Sequence, residues 1–276
     1  MWGLLALAGC SRLPGVETRM ASAATLAASG GLAPFAAGTA TLPLRGFARL
    51  GCDGEPLHVY IEGDGLAWLS ISMPSPDPTP VNPVALQLAA RDPGCNVLYL
   101  GRPGQYAGGG VDARYWLGGR FAPEVVAAYE AVVRQVAAGR HASALRLTGY
   151  SGGGAVAALL AARLHAAGLP VELVTVAGNL DTDTWTRRRK LSPLRDSLNP
   201  ATEAPVLASV PQLHLTGRDD SQVPGWVLDA YLARLPDRGC VRVVEVAAGH
   251  AGPWPDAWAA AVAQPPACTA TRQSLR

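Results

Sequence analysis

The serine in Gly149-Tyr150-Ser151-Gly152-Gly153 is spaced G-x-S-x-G. The run Ala144 to Thr148 before it is β-rich. The run Gly152 to Ala167 after it is dense in Ala and Leu, so Ser151 stands where a strand turns sharply into a helix. Such a turn exposes the hydroxyl and crowds out side chains two residues to either side, which accounts for Gly149 and Gly153. A serine hydroxyl is a weak nucleophile; it needs an adjacent base, and the base needs an acid to orient it. Of five histidines, His58 and His214 fall inside strands, and His141 and His165 lie on or beside helices. His250 alone follows a strand, in Gly249-His250-Ala251-Gly252-Pro253. The acid should come from another post-strand loop. Asp219 and Asp220 in Thr216-Gly217-Arg218-Asp219-Asp220-Ser221-Gln222-Val223-Pro224 both qualify, and Asp181 in Gly178-Asn179-Leu180-Asp181 is a rival.

The elements that must position these residues alternate from residue 57 onward. Strands are expected at 57–62, 96–100, 144–148, 171–176, 212–216 and 241–246, with helices at 83–91, 123–140, 152–167 and 225–235. Alternation of this kind predicts an α/β fold with a mainly parallel sheet flanked by helices on both faces. The strand runs are continuously apolar, as strands buried on both faces are. Loops after parallel strands gather at one edge of the sheet, so the Ser151 turn and the loops of Asp220 and His250 share that edge. Residues 179–209 show weak periodicity over about thirty positions and are a candidate lid.

From about residue 55 to 258 the chain resembles an α/β-hydrolase. The run Gly217 to Pro224 is similar to the superfamily's acid loop and selects Asp220, while His250 matches its histidine after the last strand. Tyr60-Ile61-Glu62-Gly63-Asp64-Gly65, Arg102-Pro103-Gly104-Gln105-Tyr106, Ser192-Pro193-Leu194 and Ser197-Leu198-Asn199-Pro200 are similar to a group of uncharacterised bacterial hydrolases, many of them lipoprotein-like. The resemblance implies a serine hydrolase that cleaves carboxylic esters through an acyl-enzyme, with Ser151, His250 and Asp220 as its triad. It implies oxyanion donors at the amides of Gly152 and Asp64, with Gly65 in reserve. Esters are favoured over peptides because their cleavage asks less of the leaving group. The carboxylates of Glu62 and Asp64 are unexpected beside developing negative charge; they are expected to turn away and brace the loop, the alternative being a cationic or sugar-like substrate. Trp68, Trp116, Trp185, Trp226 and Trp254 fall in or near the loops of this edge and could form an apolar acyl pocket. The rival from another class is a non-catalytic envelope scaffold that keeps the fold.

The composition agrees with a globular chain. The 276 residues are 49% hydrophobic and 16% charged, which excludes a disordered chain. A net charge of +2 without a basic stripe speaks against nucleic acid. No C-x-x-C pair or histidine cluster suggests a metal, and no Gly-rich phosphate loop follows the first clear strand, so no cofactor is expected. Arg187-Arg188-Arg189-Lys190 reads as a solvated charged face or as a contact for anionic lipid head groups.

Residues 1–10 resemble the end of a lipoprotein signal, with Leu7-Ala8-Gly9-Cys10 as the lipobox and Cys10 as the acylated residue. The expected organisation is this truncated signal at 1–10, a tether and early strand region at 11–45, and a single domain over 46–276. The expected location is the bacterial cell envelope, lipid-anchored or periplasmic, acting on a small-molecule ester. Cys52 and Cys95 precede strands that would be parallel neighbours, and Cys240 precedes the last strand while Cys268 follows it. Disulfides Cys52–Cys95 and Cys240–Cys268 are therefore expected, the alternative being buried free thiols.

Overall fold

The structure is a computed structural model, and it describes residues 13–39, 41–264 and 267–268. Cys10 and the expected lipobox at residues 7–10 lie outside the described residues. The described residues begin with helix α1 (Val16–Ser29) and a hairpin of β1 (Ala33–Gly38) and β2 (Pro43–Leu50). Strand β3 (Leu57–Ile61) is followed by a short hairpin of β4 (Trp68–Ser70) and β5 (Met73–Pro74), then by helix α2 (Val84–Arg91). Next come β6 (Asn96–Leu100), α3 (Pro123–Gly139), β7 (Leu145–Tyr150), α4 (Gly152–Ala166) and β8 (Val171–Val176). The chain continues through α5 (Thr182–Arg188), α6 (Ala204–Leu207), β9 (Gln212–Gly217), α7 (Trp226–Leu232), β10 (Val241–Val246) and α8 (Pro255–Val262).

Among the described residues eight strands form one sheet in the order β1-β2-β6-β3-β7-β8-β9-β10. From β6 to β10 all neighbours are parallel, and β1 and β2 add an antiparallel edge. Side chains alternate between two buried layers. Leu57, Val59 and Ile61 face the layer of α3, α4 and α7. Tyr60, Val97 and Tyr99 face the layer of α1, α2 and α8. The chain leaves β3 for β6 on one side and returns to β7 on the other, so the sheet's switch point lies at β3, where crevices for ligands form. Among the described residues no helix is long and apolar enough to cross a membrane.

Two expectations need correction. Residues 16–29 form a helix and not a tether, and β2 crosses the expected boundary at 45–46 to pair with β6. Helix α1 is seated by Arg19, Ala23 and Ala27, spaced four apart on one buried stripe. Arg19 reaches the carbonyl of Thr79 and pairs with Asp77 at 3.8 Å. The stretch 179–209 is anchored over much of its length: Leu180, Ala201, Ala204 and Leu207 belong to the buried layer against α4. Disulfides join Cys52 to Cys95 and Cys240 to Cys268, the pairings expected from strand positions.

Candidate active site

Ser151 occupies the turn between β7 and α4 with φ 53° and ψ −120°, a left-handed conformation that a side chain adopts only when its surroundings impose it. The crowding is visible at both glycines. A Cβ on Gly149 would lie 2.2 Å from the carbonyl oxygen of Gly153, and one on Gly153 would lie 2.2 Å from that of Ile61. Any side chain at either position would force the strand and helix apart.

His250 Nε2 lies 3.0 Å from Ser151 Oγ, and His250 Nδ1 lies 2.8 Å from Asp220 Oδ2. The acid is fixed in turn: Asp220 Oδ1 accepts the amides of Gln222 and Val223, both at 2.8 Å. The histidine loop is pinned at the His250 carbonyl, which accepts from Tyr150 Oη at 2.9 Å and from Trp254 Nε1 at 2.8 Å. Ser151, Asp220 and His250 thus follow the carboxyl ends of β7, β9 and β10 and meet at one edge of the sheet.

The rival acids stand apart. Asp181 caps α5 through the amide and hydroxyl of Thr184 and accepts from Asn199. Asp219 is exposed. His58 pairs with Asp92. His214 is buried on Thr175 and Gln212, and burial pushes its pKa down to about 3. Among the described residues no group of three or more metal-ligating side chains comes together.

The loop after β3 brings two carboxylates near Ser151, and they meet opposite fates. Glu62 turns away, as expected. It accepts from the amides of Gly63, Ala85 and Leu86 and from Tyr99 Oη, tying the loop to the first turn of α2. Burial pushes its pKa up to about 7 despite those hydrogen bonds. Asp64 does not turn away. A Cβ on Gly152 would lie 2.1 Å from Asp64 Oδ1, so this carboxylate lies against the start of α4. Arg102 reaches it at 3.1 Å and Arg120 at 2.5 Å. Burial opposes its ionisation, but Arg120 and Arg102 outweigh that and hold the carboxyl below the usual range. Its charge is therefore matched beside the place where an oxyanion would form. The amides of Asp64, Gly65 and Gly152 make no hydrogen bond with any described residue, and all three residues line the cavity over Ser151.

That cavity holds about 420 Å³. Leu66, Trp68, Val81, Trp185 and Val223 give it apolar walls. Asn179 contributes a buried Oδ1 with no partner among the described residues. Of the five tryptophans expected near this edge, Trp68 and Trp185 line the cavity. Trp116 donates to the Ser75 carbonyl, Trp254 is buried in the core, and Trp226 lies under Arg188. The sequence marks Arg102 only as part of the run Arg102 to Tyr106 and assigns no function to it, to Arg120 or to Asn179. Arg102 and Asn179 follow β6 and β8 on the same edge, a placement that could have marked them; nothing local marks Arg120.

No family model matches the chain, and no curated protein matches it. Solved structures do. The chain is similar to an α/β serine hydrolase without lid from Xanthomonas campestris, at 19% identity and TM-score 0.51, over 80% of this chain and 86% of that one. An esterase from Pyrococcus furiosus is similar at 16% identity and TM-score 0.57, over 84% and 88%. A serine hydrolase homologue from Coxiella burnetii is similar at 18% identity and TM-score 0.54, over 79% and 88%. At these identities the likeness speaks for architecture, and the chain has the α/β-hydrolase fold.

Proposed function

We propose that the protein is a serine hydrolase acting on carboxylic esters through an acyl-enzyme. The observation that carries the reading is the unbroken hydrogen-bond chain from Ser151 through His250 to Asp220, at 3.0 and 2.8 Å, opening on a cavity. His250 takes the Ser151 proton as Oγ attacks the carbonyl carbon. Asp220 holds the Nδ1 proton and steadies the imidazolium. The amides of Gly152 and Asp64 receive the tetrahedral oxyanion, with Gly65 in reserve, each donor being worth on the order of 10²–10³ in rate. His250 then protonates the leaving alcohol. Water, deprotonated by the same ring, attacks the acyl carbon and restores Ser151. The apolar walls suit an acyl or alkyl chain, and the unpartnered Oδ1 of Asn179, which can only accept, suits a hydrogen-bond donor on the substrate. Esterases among the similar structures support the same reaction class.

The test is hydrolysis of short p-nitrophenyl esters by the purified chain, against Ser151→Ala. Turnover that vanishes in the variant supports the reading. A folded wild-type chain with no turnover on any ester supports the scaffold alternative.

The two disulfides suit an oxidising compartment. With the lipobox at Leu7-Ala8-Gly9-Cys10, we place the protein in the bacterial envelope, anchored through an acylated Cys10. Incorporation of labelled fatty acid, lost in Cys10→Ser, tests that assignment.

A further inference from the structure

Large apolar side chains on the surface are unevenly distributed. Among the described residues nine are strongly exposed, and five of them (Trp68, Leu69, Ile71, Met73 and Val81) fall between residues 68 and 81. Ile71, at the tip of the β4–β5 hairpin, is 99% exposed. Scattered exposed apolar residues are ordinary, but a cluster on one projecting element marks a surface that meets something. The position is specific, because Trp68 and Val81 also line the cavity over Ser151. The hairpin is therefore part of that cavity's rim.

The charge around it narrows what it meets. No charged residue occurs from Gly65 to Pro76. The next one, Asp77, is buried and paired with Arg19. Trp185 of α5 lines the same cavity, and that helix runs into Arg187, Arg188, Arg189 and Lys190, all exposed, followed by exposed Leu191. Arg189 is fixed on the carbonyls of Ser221 and Gln222, and Gln222 also lines the cavity. The acid on this helix, Asp183, accepts a hydrogen bond from Asn199 at 3.0 Å. One cavity mouth thus carries an uncharged apolar hairpin and a run of cations. A projecting apolar element that enters the headgroup boundary, with cations beside it, is the pairing that binds anionic bilayers.

We propose that the β4–β5 hairpin and the cationic turn at residues 187–190 dock the protein on an anionic lipid bilayer with the cavity mouth against the lipid. This is separate from any anchor on Cys10, and it does not require Ser151 to be catalytic. A soluble protein partner would be expected to match the cations with its own acids and to leave the hairpin's burial insensitive to lipid charge. The bilayer requires both the apolar and the cationic halves.

The test is co-sedimentation of the full chain, carrying Cys10→Ser to remove the anchor, with phosphatidylcholine vesicles or with vesicles holding about one third phosphatidylglycerol. Binding to the anionic vesicles should be stronger by on the order of tenfold or more, and should weaken with salt. Ile71→Asp with Met73→Asp, at exposed positions whose change should leave the melting temperature intact, should abolish it. Arg187→Gln with Lys190→Gln should bring anionic binding down by about 25-fold, because each of the two cations near the surface contributes about fivefold. Quenching of Trp68 by brominated lipid, lost in Trp68→Phe, reads insertion directly. Equal sedimentation of the chain and of the Ile71→Asp, Met73→Asp variant would overturn the proposal. So would a dimer that the same variant dissolves while neither form binds vesicles.

Discussion

Two histidine–aspartate pairs of nearly equal geometry sit at different places in this sheet. His250 meets Asp220 at 2.8 Å, and His58 meets Asp92 at 2.7 Å, with both acids buried. The difference lies in what else the groups touch. The second nitrogen of His250 faces Ser151 Oγ at 3.0 Å. The second nitrogen of His58 has no hydrogen bond with a described residue, and Asp92 also holds Tyr60 Oη and the amide of Gly94. Burial opposes ionisation of Asp92, but its contacts with His58, Tyr60 and the Gly94 amide together outweigh it and hold that carboxyl below the usual range. His58 pairs with Arg146 near the starts of β3 and β7, whereas Ser151 follows their far ends, where Ile61 pairs with Gly149. An imidazole on a carboxylate is therefore no site by itself. The carboxyl edge adds a hydroxyl, a cavity and free amides, and the opposite edge adds only structure.

The contrast is broken most easily at the nucleophile. Ser151→Ala should lower kcat by about 10⁵–10⁶, while His58→Ala should leave kcat within about threefold; ester turnover by both variants measures this. If His58→Ala fell as far as Ser151→Ala, the two pairs would have been ranked wrongly. The acids come next. Asp220→Asn should cost about 10⁴ in kcat with the fold intact. Asp92→Asn should leave the rate nearly unchanged and lower stability by about 1–3 kcal/mol in urea melts, because Tyr60 and His58 lose a charged acceptor.

What was legible in the sequence divides along the same line. The turn at Ser151 could be read because its glycines answer a steric demand, and that demand is local. The strands could be read because burial on both faces leaves long apolar runs. The order Ser151, Asp220, His250 is a matter of spacing along the chain. Helix α1 was hidden because its buried stripe is two alanines and an arginine, which look like a linker until α2 is beside them. The anchoring of 179–209 was hidden for a similar reason: Leu180, Ala201, Ala204 and Leu207 are too far apart to show a period. Arg120 could not be found at all, since its partner Asp64 is 56 positions away.

Two smaller effects sharpen the contrast within the carboxyl edge. Glu62 has a folded pKa of about 7 against 4.5 for the free side chain. The fold thus favours its protonated form, and the stability this contributes is fully present below pH 4.5 and lost as pH rises through 7. Urea melts at pH 4.5 and pH 8 should show the wild type losing about 3 kcal/mol more than Glu62→Gln over that window. An identical pH profile for the two chains would contradict the buried proton. Arg120→Met should leave the Asp64 carboxylate undermatched beside the oxyanion and lower kcat by on the order of tenfold, with KM little changed. Adding Asp64→Asn to that variant should recover most of the loss. A double variant no faster than Arg120→Met would show that the arginine acts by some route other than matching that charge.

The most direct measurement is covalent labelling by a fluorophosphonate, with the modified peptide located by mass spectrometry. If Ser151 is activated by His250, the wild type should take up one equivalent on the peptide that contains Ser151, and His250→Ala should take up essentially none. A folded wild-type chain that stays unlabelled, or that is labelled equally well without the His250 ring, would contradict it.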